Sequence, residues 1–208
     1  MNVGIVDYGA GNNSSVRNAL LMAGASPHMA RTPEDVLAAD RLVLPGVGCA
    51  RTALASLRAR HLDQALNEYV HERARPLLGI CLGLQMLAER CHEEGESQGL
   101  GWFAGDVVDL HQLVPKAARV PHMGWNQVTV EEKAEPFFQE VRGKREFYFC
   151  HTFALSTDDR DGVAATTDYF APIVAAVLRG PVFATQFHPE KSQLNGQRLI
   201  EAFLKWTP

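Results

Sequence analysis

Short apolar runs alternate with stretches of helical periodicity along the first half of the chain. Val3-Gly4-Ile5-Val6-Asp7 reads as a buried strand, and the Gly-rich segment from Tyr8 to Asn13 as the turn after it. From Ser14 onward Val16, Ala19, Leu20 and Ala23 recur on one helix face. A second strand lies at Pro27–Ala30, and Thr32-Pro33-Glu34-Asp35 has the composition of a helix start. Arg41–Pro45 is a third strand ending in the loop Pro45-Gly46-Val47-Gly48. Helical stretches fill the interval to Arg75, Pro76–Ile80 is a fourth strand, and a helix is expected from Leu84 to Arg90. Elements alternating in this way predict an α/β fold, a three-layer, doubly wound, mostly parallel sheet with helices on both faces.

The second half changes texture. Asp106–Leu110, Trp125–Val130, Phe147–Phe153, Val163–Thr167, Ile173–Leu178 and Val182–Phe187 are strand-like and separated by turns. They predict antiparallel strands added to the same sheet. Leu194–Trp206 closes the chain as an amphipathic helix, with Leu199, Ile200, Phe203 and Leu204 inward. No repeat or linker interrupts the pattern, so residues 1–208 read as a single domain.

Composition narrows the function classes. Hydrophobic residues are 46% and charged residues 21% of 208, with a net charge of −4 and the two signs interspersed. No basic stripe points to nucleic acid. Arg58, Arg60, Arg73 and Arg75, among Asp63, Glu68 and Glu72, read as solvated helix faces. Met1–Asp7 lacks the features of a secretory signal, and no apolar run approaches the roughly 20 residues of a membrane span. A cytoplasmic setting is expected. Cys49, Cys81, Cys91 and Cys150 are scattered without a CxxC pair, which favours free thiols over a disulfide framework.

One cysteine stands in chemically suggestive company. In Leu78-Gly79-Ile80-Cys81-Leu82-Gly83-Leu84-Gln85 a strand enters, a helix leaves, and Cys81 sits on the turn with glycine two positions either side. This is a nucleophile-elbow pattern with Cys in place of Ser. A helix start there aims N–H groups at the sulfur, favours the thiolate, and offers the Leu82 N–H to an oxyanion. Taken alone, the pattern fits a buried structural cysteine as well. A second motif, Thr185-Gln186-Phe187-His188-Pro189-Glu190-Lys191-Ser192, supplies what a thiol nucleophile needs. His188 is a base to take and return a proton, and Glu190, across a stiff proline, is a carboxylate to orient it. The glycines of Pro45–Gly48 permit a backbone N–H to serve as a second oxyanion donor.

Together these motifs resemble the class I, or triad, glutamine amidotransferases, and more narrowly the glutaminase subunits of imidazole glycerol phosphate synthase. The resemblance spans the chain, from Asp7-Tyr8-Gly9-Ala10-Gly11-Asn12 and Leu44-Pro45-Gly46-Val47-Gly48 to Val120-Pro121-His122-Met123-Gly124-Trp125-Asn126 and Tyr148-Phe149-Cys150-His151-Thr152-Phe153. It implies a flavodoxin-like sheet, no cofactor or metal, and L-glutamine as substrate. By that likeness Cys81, His188 and Glu190 are the triad, and Val47, Gly48 and Leu82 frame the oxyanion. Gln85, Glu93, Thr152 and Phe153 hold the glutamine, although Glu94 beside Glu93 leaves that assignment open. Asn12, Trp125, Tyr148 and Lys191 fall at the interface, or its gate, with a (β/α)8-barrel cyclase subunit in a heterodimer that serves histidine biosynthesis. The resemblance also implies that the Val47 loop needs reorientation by that partner.

Four positions depart from the family's usual residues. Leu84 stands for a common Met, Phe153 for a frequent Tyr, and Asn13 and Cys49 occupy apolar or small positions. Other readings stay open: a subunit feeding a different synthase, a cysteine peptidase of related fold, or a non-enzymatic binding module. The first leaves Pro121–Asn126 unexplained, the second leaves His-Pro-Glu unexplained, and the third predicts that Cys81→Ala leaves function intact.

Overall fold

The computed structural model describes every residue except Ala117 and Arg142. In chain order its strands are β1 (Asn2–Val6), β2 (Ser26–Ala30), β3 (Arg41–Gly46), β4 (Leu77–Cys81), β5 (Ala88–Cys91), β6 (Ser97–Gln98), β7 (Phe103–Asp109), β8 (His122–Val130), β9 (Glu146–His151), β10 (Phe153–Ser156), β11 (Val163–Asp168), β12 (Pro172–Arg179) and β13 (Val182–Thr185). The helices are α1 (Asn13–Met22), α2 (Pro33–Ala38), α3 (Ala50–Ala59), α4 (Leu62–Asn67), α5 (Leu82–Met86), α6 (Glu135–Phe138) and α7 (Gln193–Lys205).

The main sheet has the order β2-β1-β3-β4-β13-β12-β11-β8-β9. The first five strands are parallel, and the remaining four attach antiparallel beyond β13. The doubly wound, mostly parallel core is therefore as expected, with an antiparallel extension, except that Val182–Phe187, expected among the antiparallel strands, supplies β13 and lies parallel to β4 within the core. Period-two alternation makes both faces apolar. Leu42, Leu44 and Leu77 pack toward α2, α3 and α4, while Val43, Leu78 and Ile80 pack toward α1, α6 and α7. Thr32 starts α2 with a reciprocal capping box: its hydroxyl accepts from Asp35 N, and the Asp35 carboxylate accepts from Thr32 N. Among the described residues no helix is long and apolar enough to cross a membrane.

Two further expectations are corrected. The helix expected from Leu84 to Arg90 exists only as α5, which begins at Leu82 and ends at Met86. The carbonyls of Met86, Leu87, Ala88 and Glu89 accept instead from Leu100, Trp102, Gly101 and Gly99, at 2.8–3.0 Å, and the chain becomes β5. Likewise β7, expected in the main sheet, does not join it, and neither do β5, β6 and β10. They form a separate four-stranded sheet, β10-β7-β5-β6, laid beside the elbow helix. Arg58 and Arg75 also do more than face solvent, since they donate to the carbonyls of Gln98 and Gly99 and of Leu37 and Ala39 respectively.

Because β1, β3, β4 and β13 run parallel, their carboxyl ends share one edge, where the order reverses between β1 and β3. The Val47 loop, Cys81 and the His188 segment all leave the sheet there.

Candidate active site

Cys81 closes β4 and opens α5 with φ +53° and ψ −105°, a backbone state that a residue with a side chain rarely adopts. Neighbouring packing holds it. A Cβ on Gly83 would drive into the Leu44 carbonyl of β3, and one on Gly79 would stand 3.3 Å from the Gly83 carbonyl carbon and 2.8 Å from the Ala184 Cβ. Glycine at both positions is thus a condition of the elbow. With only five residues, α5 acts on the sulfur through its first-turn N–H groups, Leu82 foremost, more than through a long macrodipole.

His188 follows β13, and its backbone is clamped. Its N–H donates to the Tyr148 carbonyl at 2.9 Å, and its carbonyl accepts from the Ser192 hydroxyl at 2.6 Å. Its Nδ1 lies 2.9 Å from Glu190 Oε1, with both side chains almost wholly buried. Glu190 lies on a tight turn, Pro189–Lys191, opened by the proline. The Nδ1–Glu190 contact leaves Nε2 for the Cys81 sulfur, which lines the same cavity as His188. Burial pulls the imidazolium down, yet the Cys81 and Glu190 contacts prevail and raise its pKa from 6.5 to about 10. The structure therefore brings Cys81 and His188 to one cavity and sets Glu190 behind the imidazole.

A cavity of about 300 Å³ opens over the sulfur, lined by Val47, Gly48, Leu82, Gln85, Glu93, Thr152, Phe153 and Lys191 among others. Every residue expected to frame the oxyanion or hold glutamine therefore reaches one space, as does one expected at the gate. Val47 is 41% exposed, and Gly48 has φ +98° with nothing within 4 Å of an added Cβ, so the loop is open on its outer side. Glu93 accepts from Ala50 N at 2.8 Å and ties the start of α3 to the cavity. Glu94 turns outward, with Oε2 3.8 Å from Cys49 Sγ, which favours Glu93. Trp125 and Tyr148 are cross-strand partners on β8 and β9 with ring centroids 6.1 Å apart. Asn12 precedes α1, and its side chain does not cap the helix.

Comparison with known proteins decides the family. A model described as "Glutamine amidotransferase class-I" matches residues 4–206. The chain belongs to the class-I glutamine amidotransferases. It is 42% identical to "Imidazole glycerol phosphate synthase subunit HisH" of Methylococcus capsulatus, over 99% of this chain and 97% of that one. A protein of the same name from Zymomonas mobilis is also 42% identical, over 99% and 96% of the two chains. Among solved structures, a crystal structure of a glutamine amidotransferase superposes with a TM-score of 0.75 at 22% identity, covering 98% of this chain and 97% of that one. The structure of PurLQS from Thermotoga maritima gives 0.74 at 20% identity, covering 98% and 97%.

In this amidotransferase two buried polar residues near Cys81, one lining the cavity and one behind it, were not singled out by the motifs alone. Gln186 is fully buried, and its Nε2 lies 3.6 Å from Cys81 Sγ. His151 lines the cavity and contacts the Phe153 carbonyl at 2.8 Å and His122 Nδ1 at 2.9 Å. Burial depresses both histidines, His122 to about 4 and His151 to about 3, so the pair is neutral. A polar residue inside the apolar run Val182–Phe187 is the one sequence signal that marks Gln186.

Proposed function

We propose that this chain is the glutaminase subunit of an imidazole glycerol phosphate synthase, with Cys81 as its nucleophile. The Cys81 thiolate adds to the carboxamide carbon of L-glutamine, and the N–H groups of Leu82 and the Val47–Gly48 loop receive the oxyanion. His188 gives its proton to the departing nitrogen, so ammonia leaves and a glutamyl thioester remains. Water then adds to the thioester as His188 takes its proton, and glutamate leaves with the thiolate restored. Glu190 keeps the ring oriented throughout. Gln85, Glu93, Thr152 and Phe153 hold the amino-acid end of the substrate.

Ammonia passes to a (β/α)8-barrel cyclase subunit, which uses it to make imidazole glycerol phosphate and aminoimidazole carboxamide ribotide in the cytoplasm. The whole of residues 1–208 serves as one amidotransferase domain. The observation that carries this reading is Cys81 and His188 lining one cavity, with the imidazole held 2.9 Å from the Glu190 carboxylate. Exposed Val47, Met123, Trp125 and Leu194 add apolar surface suited to a partner. In that heterodimer Asn12, Trp125, Tyr148 and Lys191 meet or gate the cyclase.

The test mixes this chain with a barrel cyclase subunit and follows glutamate release with and without the ribonucleotide substrate. Release that rises on complex formation and vanishes in Cys81→Ala supports the proposal. Full-speed release by the isolated chain sinks the partner-gated oxyanion loop, and release that survives Cys81→Ala sinks the nucleophile.

A further inference from the structure

A chain of hydrogen bonds, part-buried at Phe153 and buried from Gln85 onward, leads through Gln186 to Cys81, and its direction can be worked out atom by atom. The Phe153 carbonyl can only accept. It lies 2.8 Å from Gln85 and 2.8 Å from His151 Nδ1, so Gln85 presents its NH2 there and His151 carries its proton on Nδ1. His151 Nε2 is then a bare acceptor, filled by the N–H of His122 Nδ1 at 2.9 Å. The second hydrogen of the Gln85 amide points to Gln186, 3.2 Å away, and what meets it there must be the Gln186 oxygen. That leaves the Gln186 Nε2 hydrogens for Cys81 Sγ at 3.6 Å. The reverse orientation would set two amide nitrogens against each other and turn an oxygen toward the sulfur.

We infer that Gln186 is a further catalytic residue, whose side-chain N–H donates to the Cys81 sulfur and stabilises the thiolate before attack. This rests on Cys81 being the nucleophile. A thiolate in this place needs such a donor. Its other polar neighbour on that side, the Cys150 carbonyl at 3.9 Å, suits the thiol and repels the anion. The Gln186 side chain is held in this orientation, because its backbone N–H donates to Ala175 O at 2.8 Å and its oxygen is locked by Gln85. The Gln85–Gln186 and Gln186–Cys81 links are buried, so water does not compete for them. The other titratable groups around the sulfur are His188 with Glu190 behind it, and Tyr8; Glu93, Cys150, His151 and Lys191 line the same cavity.

The experiment follows the pH dependence of Cys81 alkylation by iodoacetamide in the full chain, with Cys81→Ser as background. Gln186→Met keeps the volume and removes the donor. Its midpoint is expected about one pH unit higher, so alkylation below the midpoint slows roughly tenfold. A folded Gln186→Met chain with the wild-type profile overturns the inference. Should that variant fail to fold, the wild type decides. The Gln186 side-chain NH2 resonance must titrate with the thiolate and stay still over that range in Cys81→Ser, and a resonance indifferent to Cys81 ionisation also overturns it. Neither readout needs glutamine turnover, so a failed glutaminase assay and a failed donor remain distinguishable.

Discussion

Between Cys81 and Glu190 the His188 ring has one nitrogen for each partner, and these contacts outweigh a burial that alone would favour the neutral ring. The consequence for stability has a definite sign. With a folded pKa near 10 against 6.5, His188 contributes stability that is fully present below pH 6.5 and is lost as pH rises through about 10. Urea midpoints between pH 6.5 and 10 should therefore fall in the wild type and fall less in Glu190→Gln. The same variant should lower kcat by about 10²–10⁴-fold at neutral pH, because a neutral amide cannot favour the imidazolium. Equal activity in Glu190→Gln would remove the carboxylate from the mechanism. The three residues proposed as a triad were legible in the chain because each sits in a compact motif, Gly-Ile-Cys-Leu-Gly or His-Pro-Glu. Gln186 was not, because its partners Gln85 and Cys81 lie 101 and 105 residues away and only the parallel pairing of β4 with β13 joins them.

At the level of elements the elbow depends on close approach of β3, β4 and α5. Gly83→Ala would push a methyl group into the Leu44 carbonyl and is expected to cost about 1–3 kcal/mol while displacing Cys81 and cutting turnover. Thr32→Ala, which breaks the α2 capping box, neither partner of which lines the cavity, should cost about 1 kcal/mol and leave turnover intact. Thermal melts and glutamate assays on the pair separate loss of the site from loss of stability. The buried histidines of β8 and β9 make a further prediction. His122 and His151 have folded pKa values near 4 and 3 against 6.5, so the unfolded chain binds more protons and stability falls as pH drops from 6.5 toward 4. Replacing both with Leu and Met should flatten that acid slope, as read by urea midpoints. The parallel strands were legible because both their faces are apolar. The four-stranded sheet was not: α5 stops where Leu100–Trp102 claims its carbonyls, a tertiary contact that helical periodicity over Leu84–Arg90 does not register.

Across the whole molecule the carboxyl edge of the parallel strands gathers the loop after β3, the elbow after β4 and the triad segment after β13 around one cavity. The exposed residues Val47, Met123, Trp125 and Leu194, with Lys191 at the cavity wall, fit a face completed by another subunit. Chemistry on this floor is expected to be slow in the isolated chain and quickened when a cyclase subunit turns the Val47 loop. The most direct measurement is mass spectrometry of this chain after acid quench during turnover with glutamine, cyclase subunit and ribonucleotide. A glutamyl group should appear on Cys81 and be absent in Cys81→Ala. Turnover continuing in Cys81→Ala, or a glutamyl group found on another residue, would contradict the account.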